Sequence, residues 1–322
     1  MIWAVAVICV LLTAASIIYF LKRRQQGRFI QKTLASTGFR KEQRVIVCLS
    51  TLPDRIHNLE PTIQCLLRQT RRPDEIVIAV PRFSIRQRRS YELPDYLTRF
   101  PEVRILHCEK DWGPATKFIP IIQEELAAGR TQTLIMVVDD DRVYPRDALE
   151  TYFHYHKQLP DAALCFRGGP MPTNFRWFIP KLFLGSRIQE PKRVAVITGC
   201  GSYLIQPRFF NSALWDYSDA PAAAFYMDDI WISGNLDRRG VQKYVVPTSS
   251  MMRTVPQQVG TMTLYRVPRS RRHNNHQTAL YFRDTWDVLS APFGLDYRVR
   301  QLLPSWIIPR SERRSNSSNQ IP

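Results

Sequence analysis

Apolar residues in this chain gather into short runs of strand length, separated by stretches that repeat at helical spacing. Val45 to Ser50 is the first run, and Pro53 stops it. From Leu59 to Gln69 the apolar residues Leu59, Ile63, Leu66 and Leu67 share one helical face. Pro73 punctuates the chain, and Glu75 to Val80 reads as a second strand. Val103 to His107 reads as a third strand, and Thr116 to Ala128 as a helix closed by Gly129. Leu134 to Val138 reads as a fourth strand. Continuous apolar strands alternating with helices predict an α/β fold, with a mostly parallel central sheet and helices on both faces. No internal repeat is evident.

The first residues differ from the rest. Ile2 to Leu21 carries no charge and is long enough to cross a bilayer as a helix. No basic residue precedes it and no clean Ala-x-Ala site closes it, which argues against a cleaved leader. The expected organisation is therefore one transmembrane helix over 2–21, a stem over 22–43, a folded domain over 44–310 and a disordered tail over 311–322. Lys22, Arg23, Arg24 and Arg28 follow the apolar span, which by the positive-inside rule places the domain in the cytoplasm. The sequon Asn316-Ser317-Ser318 points weakly the other way, to a lumenal fate. The side of the membrane is left open.

Charge narrows the partners. With 45 Lys and Arg against 28 Asp and Glu, the net charge of +17 attracts anions: nucleotide phosphates, acidic lipid head groups or nucleic acid. The runs Arg82 to Arg89 and Arg266 to Arg272 read as solvated loops. Cys48, Cys65, Cys108 and Cys165 sit in or beside apolar runs, where free cysteine behaves as a small hydrophobe. No Cys-x-x-Cys occurs, so a zinc knuckle is not indicated.

The fourth strand ends in Asp139-Asp140-Asp141. In so basic a chain, three adjacent carboxylates at a strand tip point to a divalent cation. In extended backbone Asp139 and Asp141 face the same way. Hard oxygen donors suit Mg²⁺ or Mn²⁺ shared with the phosphates of a substrate. The competing explanation is a helix cap, since Pro145 and Asp147 look like the start of the next helix.

These features together resemble the GT-A fold glycosyltransferases, whose Asp-x-Asp motif ends a sheet strand. Glu60 to Ala79 is similar to the first helix and second strand of family-2-like members. Met227-Asp228-Asp229-Ile230-Trp231-Ile232-Ser233-Gly234 resembles the Glu-Asp-Val-x-x-Gly segment of inverting β-1,3-galactosyltransferases. Thr198-Gly199-Cys200-Gly201-Ser202-Tyr203 resembles the glycine-rich segment that precedes it there. The resemblance implies a metal-dependent, inverting hexosyl transfer from a nucleotide-sugar donor to a glycan, lipid or protein acceptor at a membrane, with no nucleic acid partner. It implies Asp139 and Asp141 as metal ligands, with His276 (ahead of His273) closing the site around Mn²⁺ or Mg²⁺. Asp140, Lys117, Asp111, Asp54 and Arg55 fall on the donor side; Gly199, Gly201, Tyr203, Asp228 and Trp231 fall on the acceptor side. Asp229 takes the place of the catalytic base. Two rivals remain: a sugar-phosphate nucleotidyltransferase, although Leu49 to Asp54 lacks the glycine-rich loop, and a non-catalytic, membrane-tethered anion binder.

Overall fold

A computed structural model describes residues 43–177, 182–255 and 269–290, together with Cys9, Leu12 to Ala14, Ser16 to Ile18 and Leu21 near the start. The central sheet has eight strands: β1 (Val45–Ser50), β2 (Glu75–Pro81), β3 (Val103–Cys108), β4 (Leu134–Val137), β5 (Ala163–Cys165), β6 (Lys192–Arg193), β7 (Tyr203–Ile205) and β8 (Lys243–Val245). Their order across the sheet is β6-β8-β5-β7-β4-β1-β2-β3. Strands β1 to β4 are mutually parallel, β5 and β8 run the same way, and β7 and β6 oppose them. The mixed, mostly parallel sheet matches the expected class.

Two stretches of chain build the sheet. Residues 45–137 supply one half and residues 163–245 the other. They meet at a single seam, where β4 pairs antiparallel with β7 through Val137 and Tyr203. Both faces are covered, and the two-residue period of the strands shows it. Ile46 and Cys48 of β1, with Ile135 and Val137 of β4, enter one core, while Val45, Val47, Leu49, Leu134 and Met136 enter the other. Helices α1 (Glu60–Leu67) and α3 (Ala148–Gln158) pack on the second face through Ile63, Leu66, Leu149 and Tyr152. Helices α2 (Ile119–Ala127), α4 (Asp228–Arg238) and α5 (Arg271–Tyr281) pack on the first, through Ile119, Ile122, Trp231 and Ala279.

The helix expected over Thr116 to Ala128 is split. A 3₁₀ turn covers Gly113–Lys117 and α2 starts at Ile119, because Pro120 suits the first turn of a helix and has no N–H for a helix interior. Gly234 brings α4 against Phe282: a Cβ there would lie 2.3–2.5 Å from three ring carbons. Most of 2–21, residues 22–42 of the expected stem, residues 291–310 of the expected domain and the tail 311–322 lie outside the described residues. Among the described residues no helix is long and apolar enough to cross a membrane. Leu12, Ile17, Ile18 and Leu21 are helical and more than half exposed.

Candidate active site

After β1 the chain moves outward to β2 and β3, then returns to place β4 on the other side of β1. Such a reversal opens a crevice outside the carboxyl ends of the two strands. A cavity of about 480 Å³ lies there, walled by Ser50 and Thr51 beyond β1 and by Asp139, Asp140 and Asp141 beyond β4. Its far wall carries Thr198, Cys200, Asp228 and Asp229.

The aspartate turn is pinned from both neighbouring elements. Thr51 Oγ1 donates to Asp140 Oδ2 at 2.7 Å, and Thr62 Oγ1 of α1 donates to the carbonyls of Asp140 and Arg142, each at 3.0 Å. The Asp139 N–H donates to Tyr144 Oη at 2.8 Å. Protein cations then meet each carboxylate. Arg55 Nη2 lies 2.8 Å from Asp140 and 3.0 Å from Asp141. Arg142 Nε lies 3.1 Å from the other oxygen of Asp141. Lys117 Nζ lies 2.7 Å from Asp139. Burial raises the Asp139 carboxyl, but Lys117, Arg142 and Arg55 outweigh it and hold the group below the usual carboxylate range. For Asp140 burial wins over Arg55, with Asp141 adding to it, and the group is pushed up to about 6.

This arrangement does not fit the expected divalent ion. Asp141 faces two guanidinium groups, although its buried Oδ1 accepts no hydrogen bond among the described residues, and Asp139 is bridged to an ammonium. His276, expected to close the site, has Nδ1 3.2 Å from the Phe175 carbonyl and does not line the cavity. Among the described residues no group of three or more His, Cys, Asp or Glu is placed to hold a metal. The arginines and lysine of the neighbouring loops supply positive charge that the sequence reading did not place beside these carboxylates.

Lys117 also reaches across the cavity, with Nζ 2.8 Å from Asp228 Oδ2. Lys117 and Asp228 are buried, and the neighbouring carboxylates overcome the burial penalty to raise the Lys117 ammonium well above its usual range. The two acids at the start of α4 thus part company. Asp228 is the buried partner of Lys117, whereas Asp229 is partly open to the cavity and accepts the Gly199 N–H at 2.7 Å. Burial first, and Asp228 second, push Asp229 up to about 7. Gly199 is a steric requirement here, since a Cβ would come within 2.5 Å of Lys117 Nζ and 3.3 Å of both Asp139 and Asp229.

Of the residues expected from the sequence, Arg55, Asp111, Lys117, Asp139, Asp140, Asp141, Asp228 and Asp229 are brought to one cavity. Asp111 fixes its floor, accepting from the Gly113 N–H at 2.7 Å and the Ile85 N–H at 2.8 Å. Others are not brought there. Asp54 turns to Gln87 and Arg89 on the neighbouring loop. Tyr203 is fully buried beneath the site. Trp231 is also fully buried: it stacks on Tyr217 at 4.1 Å and donates through Nε1 to the Leu214 carbonyl at 2.8 Å, so it is core and not a sugar platform. Gly201 packs on Arg167, where a Cβ would meet the Arg167 side chain at 2.6 Å. The sequence reading missed Arg86, Arg167, Trp177, Arg271 and Arg272, which all line the cavity. A clue to Arg86 was available. In Arg82-Phe-Ser-Ile-Arg86, Phe83 and Ile85 are exposed while Ser84 is buried, a two-residue alternation that sends Arg86 inward.

No family model matches the chain, and no curated protein does. Among solved structures it is similar to a 4-diphosphocytidyl-2C-methyl-D-erythritol synthase at 14% identity and a TM-score of 0.39, over 69% of this chain and 96% of that one. It is also similar to GalNAc-T7 crystallised with UDP, GalNAc and Mn²⁺, at 14% identity and a TM-score of 0.44. That alignment spans 67% of this chain and 45% of the other. At these values the likeness is one of general α/β arrangement and carries neither substrate nor mechanism.

Proposed function

We propose that the chain is a glycosyltransferase that moves a sugar from a nucleotide-sugar donor to an acceptor hydroxyl with inversion, Asp229 acting as general base. One observation carries this reading. A partly open carboxylate raised to about 7 shares one cavity with a cation-lined turn at the switch point of an α/β sheet. The cationic side chains of the cavity suit a diphosphate, and the Asp229 carboxylate suits a hydroxyl about to lose its proton. The acceptor oxygen forms a bond to the anomeric carbon as the carbon–oxygen bond to phosphate breaks. The hydroxyl proton passes to Asp229, and the diphosphate leaves with the bonding electrons. The Gly199 N–H holds the Asp229 carboxylate in place, and Lys117 fixes Asp228 and Asp139 around it. Order along the chain supports the reading too, because the segments Thr198 to Tyr203 and Met227 to Gly234, which resemble the galactosyltransferase motifs, form the wall opposite the aspartate turn.

The test is Asp229→Asn, assayed against a panel of nucleotide-sugars. Donor binding is expected to persist while turnover falls about 10²- to 10⁴-fold, the range for a lost general base. In the parent chain activity rises as pH climbs through about 7, where the base loses its proton. Near-normal turnover in the variant removes Asp229 from the mechanism.

The uncharged span Ile2 to Leu21 supports tethering of this domain to a membrane by a single pass. Its side follows from protease protection of tags at the two ends: protection of the C-terminal tag in sealed vesicles means a lumenal domain, and its loss a cytoplasmic one.

A further inference from the structure

Seven cationic side chains and six carboxylates line the cavity. Arg86 lines it, half-buried, and its Nη2 is sealed from solvent with no hydrogen-bond partner among the described residues. That nitrogen has lost its water, and Asp140, Asp111 and Asp228 stand near enough to favour the Arg86 charge in its place. Burial lowers the Arg86 guanidinium and Arg55 adds to it, so one buried and one half-buried guanidinium group face the same cavity. Arg271 and Arg272, in the first turn of α5, line the same space, and the amino end of that helix adds its own partial positive charge. Asp139 is meanwhile bridged to Lys117, and Asp141 faces Arg55 and Arg142, although its Oδ1 accepts no hydrogen bond among the described residues.

We propose that this chain binds the diphosphate of its donor through arginine side chains, Arg86 foremost with Arg271 and Arg272, and that donor binding needs no divalent metal. The proposal rests on the nucleotide-sugar reading of the cavity and departs from the metal-centred expectation raised by the aspartate triplet. Arginine suits the task, since its planar fork pairs with two phosphate oxygens at once and it stays charged when partly buried. The leaving diphosphate meets the same guanidinium groups as its charge grows, so the positive charge needed for departure is built into the chain.

Calorimetric titration of the full chain with UDP, GDP, CDP and inorganic pyrophosphate, each in EDTA and again in Mn²⁺, tests the proposal. One nucleoside diphosphate is expected to bind with the same affinity in both buffers. Arg86→Met is expected to weaken it about ten- to a hundredfold in each, the size of one lost charge-assisted contact, with Arg86→Lys in between. Arg88→Met, an exposed change on the same loop, controls for net charge and should bind as the parent does. Binding that appears only with Mn²⁺ and ignores Arg86→Met overturns the arginine cradle and leaves the nucleotide-sugar reading standing. Metal-insensitive binding of pyrophosphate with no preference for any nucleotide upholds the cradle and removes the nucleotide-sugar reading. No binding of any of the four in either buffer overturns both.

Discussion

Replacing Lys117 by methionine keeps the length of the side chain and removes its charge. In the folded protein Lys117 bridges Asp139 at 2.7 Å and Asp228 at 2.8 Å, with Lys117 and Asp228 buried. Removing one partner from a buried pair typically costs about 3–5 kcal/mol, because an uncompensated charge is left behind. Two carboxylates lose the same cation here, but one can still turn to the cavity, so about 3–5 kcal/mol is the expected total. At roughly 2–4 °C per kcal/mol for a domain of this size, the melting temperature falls by about 6–20 °C. The deficit depends on pH, and its sign can be worked out. Lys117 is raised above its usual value, so it stays charged across pH 5–8 and its own titration contributes nothing in that window. Asp139 is held low, so it stabilises the fold above its unfolded value of about 3.8 and loses that contribution as pH falls through its lower folded value. Asp229, raised to about 7, acts in reverse and costs stability as pH rises from about 3.8 to 7. Without Lys117 both groups move upward, so the loss is larger at pH 8 than at pH 5. Urea denaturation of parent and variant at the two pH values measures it. A deficit under about 1 kcal/mol at pH 8, or equal deficits at both, refutes the argument that Lys117 neutralises this cluster.

Further expectations concern packing and pairing. Gly234→Ala should destabilise by about 1–2 kcal/mol despite a gain of about 1 kcal/mol in helix propensity, because the new methyl meets the Phe282 ring; a stabilised variant in urea melts would contradict the close approach. Gly199→Ala should displace the Lys117 ammonium and cut turnover more than stability, which steady-state kinetics beside a thermal melt will separate. Lys243 and Asp237 form a buried pair in which burial lowers the lysine and raises the aspartate to about 6, so pairing does not recover the cost of burial. Lys243→Met alone should cost about 3–5 kcal/mol, whereas Lys243→Met with Asp237→Leu should be neutral or gain stability. Equal losses in the single and double variants would show that the pair is a net stabiliser.

The sheet was legible because its strands are buried on both faces and therefore appear as unbroken apolar runs; β1 has the bounds expected, and β2 to β4 differ by one residue at their ends. The aspartate turn was legible for the same reason, since its charges end an apolar run abruptly. What pairs with those charges was not. Arg55, Lys117 and Arg142 stand at other points along the chain, and no local pattern indicates which cation will fold onto which acid. Trp231 was misplaced because an aromatic residue beside a motif looks the same in sequence whether it faces a sugar or the core. Asp228 and Asp229 are adjacent and chemically identical, and only the direction of α4 separates the buried salt-bridge partner from the open carboxylate.

The seam between β4 and β7 gives the chain a modular character. One uninterrupted stretch forms the half-sheet that ends in the aspartate turn, and a later stretch forms the half-sheet that leads into Asp229. On the proposed reading, Arg86 comes from the first stretch and Asp229 from the later one, while Arg271 and Arg272, beyond both, complete the grip on the donor.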